Sequence, residues 1–158
     1  EGTAPIAPTE AKSGGSDSDF RAIKLGEAFD PISKGYEQAG KIAAAPGLQM
    51  DLFTKSYDGG SVTNAVGIYK DAVISKLQNA LQINKAECQQ NIVRLVEKLQ
   101  KAGIRGWKNS WRKDYEVPVY SVKIQHISAK VTCRGNSTGW FLEYSQAIRG
   151  ERLKALLR

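Results

Sequence analysis

Apolar residues recur at helical spacing through much of the first hundred positions and alternate cleanly with polar ones only beyond Pro118. Asp30-Pro31 reads as a helix start, an N-cap carboxylate followed by a proline whose fixed φ suits a first turn. Ile32, Tyr36, Ala39 and Ala43 continue that stripe, and Ala45-Pro46-Gly47 ends it. A shorter helix over 20–29 precedes it, with Ile23, Leu25 and Phe29 apolar. Residues 48–57 alternate in part and suggest an edge strand, and Asp58-Gly59-Gly60 marks a turn.

The longest stripe is Val62, Val66, Tyr69, Val73, Leu77 and Leu81, which predicts a helix over 61–82, roughly 33 Å long. Asn84 then stands as an N-cap with Glu87 three residues on, opening a second stripe of Cys88, Ile92, Leu95, Val96, Leu99 and Ala102 that Gly103 stops. Two such helices with almost no gap between them predict an antiparallel helical hairpin. Downstream, Val122 and Ile124 alternate with Lys123 and Gln125, and Ile127, Ala129, Val131 and Cys133 alternate in the opposite phase. The flip near 125–128 requires a bulge or tight bend. With the 135–139 turn and the apolar 140–144 run, this predicts antiparallel strands across 119–147, followed by a short helix over 151–158. Helices first and strands later is an α+β order: N-terminal helices, including the long hairpin, packed on a small antiparallel sheet, with a short C-terminal helix.

Composition adds a boundary. Residues 1–18 hold one large aliphatic residue, Ile6, among Pro, Gly, Ser and Thr, so they read as a linker or tail. Residues 19–158 are then a single α+β domain. The start without Met, on a Pro/Ala/Gly/Ser-rich stretch, suggests a mature exported protein of the periplasm or cell envelope, tethered to a membrane surface by a lipid just upstream.

Charge sharpens the functional picture. Residues 101–158 hold twelve Lys/Arg and four Asp/Glu, whereas residues 1–100 are close to neutral, in a chain of net charge +7. A one-sided distribution of this kind is a statement about partners. The stretch 104–115, IRGWKNSWRKDY, interleaves cations with aromatics, and as a helix it would place Ile104, Trp107, Trp111 and Tyr115 on one face. The expected contact surface comprises Arg105, Trp107, Lys108, Trp111, Arg112 and Lys113, with Arg134 and Arg149 added from the sheet. Aromatics and guanidinium groups suit a protein interface, and the favoured function is a non-catalytic accessory subunit, adaptor or inhibitor binding an acidic protein. The alternative is single-stranded nucleic acid, with bases stacked on the tryptophans and phosphates on the cations.

Two cysteines, Cys88 and Cys133, make one possible disulfide. A third reading pairs Cys88, at a helix start, with His126 on a strand, in the manner of papain-like thiol hydrolases. A Cys88–Cys133 bridge would exclude it. One histidine and two distant cysteines supply no metal-ligand spacing, and no glycine-rich phosphate loop occurs, so neither metal nor cofactor is implied.

Overall fold

The computed structural model describes residues 15–158, in which eight strands form a single antiparallel sheet. Strands β1 (Glu37–Ala45), β2 (Leu48–Tyr57), β3 (Val62–Tyr69) and β4 (Ala72–Gln82) make one meander. Strands β5 (Lys108–Arg112), β6 (Val117–Ile124), β7 (Ile127–Asn136) and β8 (Gly139–Ile148) make a second. The order is β1-β2-β3-β4-β8-β7-β6-β5, so the meanders meet where β4 pairs with β8. Three helices accompany the sheet among the described residues: α1 (Ser16–Ala22), α2 (Lys85–Lys101) and α3 (Gly150–Leu157). Residues 1–14 of the expected tail lie outside the described residues, and residues 16–18 open α1.

This corrects the expected architecture. There is no long helical hairpin, and the sheet is the dominant element rather than a small adjunct. The 61–82 stripe is a β-hairpin turned at Lys70-Asp71, both at positive φ (51° and 67°), as a tight two-residue turn requires. Its inward residues alternate as Val62, Asn64, Val66 and Ile68. Polar Asn64 and Lys76 point inward, and a register shift at Gly67/Ile68 breaks the phase. A count of apolar positions therefore finds a period near 3.6 where the backbone has a period of 2.

The 30–45 segment fails for a related reason. Asp30 accepts from the Ser33 backbone N–H at 3.4 Å, and the Lys34 and Gly35 N–H groups bond to the carbonyls of Pro31 and Ile32. The cap signal is real, but it serves one turn only. Beyond it Glu37–Ala45 pairs with β2 as an edge strand, with a register irregularity at Gly40. Residues 104–115 likewise form no helix: Gly103 and Gly106 take positive φ, and Lys108–Arg112 is the opposite edge strand, paired with β6.

Helix α2 forms as its cap predicts. Asn84 Oδ1 accepts from the Glu87 N–H at 2.9 Å, and Glu87 Oε1 accepts from the Ile83 N–H at 2.7 Å. Its Cys88, Ile92 and Val96 pack against Val131, Cys133 and Leu142 of β7 and β8. A disulfide, Cα–Cα 6.1 Å, ties Cys88 to Cys133. The flip at 125–128 is the tight turn between Ile124 and Ile127. A second apolar cluster, Ile23, Leu25, Tyr36, Val66, Ile68, Val73 and Ile148, lies under the 23–36 segment and is joined by Leu153 and Leu156 of α3.

Helix α1 is held to the sheet by polar contacts. Lys76 Nζ donates to the carbonyls of Phe20 (2.7 Å) and Ile23 (2.9 Å), and Asn64 Nδ2 donates to Ser16 O at 2.9 Å. The Tyr57 hydroxyl donates to Asp19, which also pairs with Lys55. Burial and then this bond raise the Tyr57 phenol well above its ordinary range.

Candidate functional site

Helix α2 covers one face of β6–β8. On a strand, the residues between those that face the helix project from the opposite side. Val131 and Cys133 pack under α2, so Lys130, Thr132 and Arg134 face the other way. The register carries that parity across the meander: Lys108 pairs with Ser121, Ser121 with Lys130, and Lys130 with Ser145. Lys123 pairs with Ser128 on the same side. These six residues line a hollow of about 590 Å³.

The register of the strands sets the three lysines close together on this face. Lys108 and Lys130 flank Ser121 two strands apart, about 9.5 Å at the usual strand spacing. Lys123 is a diagonal neighbour of both, at about 7–8 Å. All three are exposed, and none forms an ion pair among the described residues. Other cations of the chain do pair, as in Lys41–Asp51, Lys85–Glu116 and Lys154–Glu151. The acid nearest the hollow by register is Glu143, opposite Thr132 and diagonal to Lys130. Two unit charges about 8 Å apart in water repel by about 0.5 kcal/mol. The trio is therefore mildly unfavourable on its own and favourable to an incoming anion, while the serines between the lysines offer hydroxyl donors.

The residues expected to form one basic-aromatic surface do not share a face. Lys108 and Arg134 lie on the open face; Arg134 is exposed and pairs across to Phe141. Trp107 packs on the α2 side, its ring N–H donating to Ile104 O at 2.8 Å. Trp111 is 58% exposed on β5, on the side opposite Lys108. Arg112 is turned aside: Asp114 accepts from its Nε at 3.0 Å, and its guanidinium lies 4.5 Å from the centre of the Tyr115 ring. Arg105 and Lys113 are exposed on the segments flanking β5. Arg149 is half-buried beyond β8, its backbone N–H donating to His126 O at 2.7 Å and its Nε buried without a partner among the described residues.

Lys123 and Lys130 were not singled out from sequence as contact residues. Their signal is the alternation Val122-Lys123-Ile124 and Ala129-Lys130-Val131, which sets both lysines opposite the buried valines once the strands pair. Cys88 is bonded to Cys133, and His126 sits at the β6–β7 turn, 2.9 Å from Arg152 Nη1. Seven residues of extended chain, about 23 Å, separate Cys133 from His126, so the fold does not bring the proposed thiol and imidazole together. Comparison with protein-family models, with curated proteins and with solved structures finds no match for this chain.

Proposed function

We propose that this is an exported, non-catalytic binding protein that takes an acidic segment of a partner protein on the open face of β5–β8. The observation that carries the reading is the trio Lys108, Lys123 and Lys130 around one hollow, without ion pairs among the described residues and with serines between them. Their field attracts carboxylates and speeds encounter. The Cys88–Cys133 bridge favours an oxidising compartment, in keeping with the periplasm or cell envelope.

The same charge would also attract nucleic-acid phosphate. Base stacking needs aromatic faces beside that charge, and Trp107 and Trp111 stand on the other side of the strands from Lys108. That arrangement favours an acidic polypeptide over single-stranded nucleic acid.

The test is titration of an octaglutamate peptide, with an oligonucleotide of equal charge beside it. The expected result is peptide binding that weakens about tenfold or more between low and high salt and is lost in K108Q/K123Q/K130Q. Equal affinity for that variant and the parent chain would overturn the reading. Tighter binding of the oligonucleotide would transfer it to nucleic acid.

A further inference from the structure

On the helix-covered face, between α1 and α2, lies a separate cavity of about 290 Å³. Its walls are chiefly apolar: Phe20 from α1, Leu95 and Leu99 from α2, and Leu142 and the Tyr144 ring from β8. Pockets of this kind hold small ligands when a few polar groups converge on them. Two such groups keep hydrogen-bond donors in reserve. Lys76 Nζ donates to Phe20 O and Ile23 O and stands 4.4 Å from the centre of the Phe20 ring, which leaves its third N–H without an oxygen acceptor among the described residues. The Tyr144 hydroxyl accepts from Gln146 Nε2 at 2.6 Å, and its own proton has no acceptor among the described residues.

The two donors are neighbours. Gln78 stands opposite Tyr144 and Lys76 opposite Gln146, so Lys76 and Tyr144 are diagonal on one face, about 7–8 Å apart. Lys76 is 7% exposed and forms no ion pair among the described residues. The charged lining is Arg21, Lys76 and Lys98 against one acid, Asp17. Burial, with Lys24 and Arg21 nearby, pulls the Lys76 ammonium down to about 8. The amine is still charged at neutral pH, in a setting where an anion beside it would relieve the strain of desolvation.

We propose that this cavity binds a monocarboxylate amphiphile, its carboxylate bridging Lys76 Nζ and the Tyr144 hydroxyl and its apolar tail lying between Leu95, Leu99 and Leu142. Size limits the ligand. A dry protein cavity of about 150 Å³ holds benzene, six heavy atoms, so about 290 Å³ accepts roughly a dozen. A ten-carbon carboxylate meets that limit. This site is independent of the basic hollow, which lies on the opposite face of the sheet.

The test is calorimetric titration with decanoate and decanol, with amide shifts mapped on the parent chain. Saturable binding of decanoate is expected, about tenfold tighter than decanol, with shifts at Ala80, Leu99 and Gln146. Y144F should weaken decanoate about tenfold and leave decanol unchanged; K76M should do the same where it folds. No saturable binding at millimolar decanoate would overturn the proposal. So would equal affinity for decanol, an unaffected Y144F, or shifts centred on Lys108, Lys123 and Lys130.

Discussion

Lys76 Nζ stands 4.4 Å from the centre of the Phe20 ring and donates to the carbonyl oxygen of that same residue at 2.7 Å. One buried strand lysine thereby holds the end of α1 by a ring face and a carbonyl at once. The last carbonyls of a helix lack partners within it and carry partial negative charge, so a cation is well placed there. The cost is desolvation of the ammonium, felt as its lowered pKa of about 8.

That cost makes stability depend on pH. Between pH 8 and 10 the folded Lys76 has lost a proton that the unfolded chain, with the ordinary value of 10.5, still holds. The unfolded state then binds more protons, so stability rises with pH through this window, by an amount on the order of 1–3 kcal/mol. Above about 10 the trend reverses. Burial raises the phenols of Tyr36, Tyr57 and Tyr144 in the folded chain, while the unfolded chain ionises its own. Urea midpoints between pH 7 and 11 should trace this peak, and a folded K76M should lose the rise and keep the fall. A midpoint that drops steadily from pH 8 contradicts the assignment.

Removing the disulfide should be costly. The bridge spans 45 residues, and loop-closure entropy then gives about 4 kcal/mol. C88A/C133A should therefore melt well below the parent chain while keeping its strand signature in circular dichroism. A shift of under 1 kcal/mol would mean that the unfolded chain is already constrained there.

The lysine trio should trade stability for contact. K123Q removes a like-charge neighbour of both Lys108 and Lys130 and breaks no ion pair among the described residues. Stability should rise by a few tenths of a kcal/mol at low salt and by nothing at high salt. A loss of stability in chemical denaturation would show that Lys123 has a structural partner.

The cap of α2 gives a further check. Asn84 satisfies the Glu87 N–H, and Glu87 reciprocates to Ile83. N84A should cost about 1 kcal/mol, read as a lowered urea midpoint with an unchanged slope. N84G should cost less.

Legibility in the sequence followed the locality of the signal. Asn84 and Glu87 announce α2 because both halves of the cap lie within four residues, and the bend at 125–128 is visible because alternation reverses across it. The β3–β4 hairpin was hidden by its own interior. Asn64 and Lys76 occupy inward positions in order to hold α1, contacts 48 and 56 residues away in sequence. Lys70-Asp71 turns the chain without the glycine that usually signals such a turn. In 104–115 the even mixture of cations and aromatics reads as one surface, but an edge strand deals Trp111 and Lys108 to opposite sides. The convergence of Lys108, Lys123 and Lys130 depends on strand pairing, which no local window contains.

The seam between β4 and β8 joins residues far apart along the chain: Gln82 lies opposite Trp140 and Ser75 opposite Ala147. A ribosome delivers the first meander long before the strand that completes it. Until β8 emerges, the backbone edge of β4 has no mate and can recruit a strand from another copy. Native closure therefore waits on the carboxyl-terminal portion, a late and long-range event of the kind that folds in milliseconds to seconds. A chain cut before Gly139 would keep an adhesive border and self-associate, with every residue of its first four strands intact.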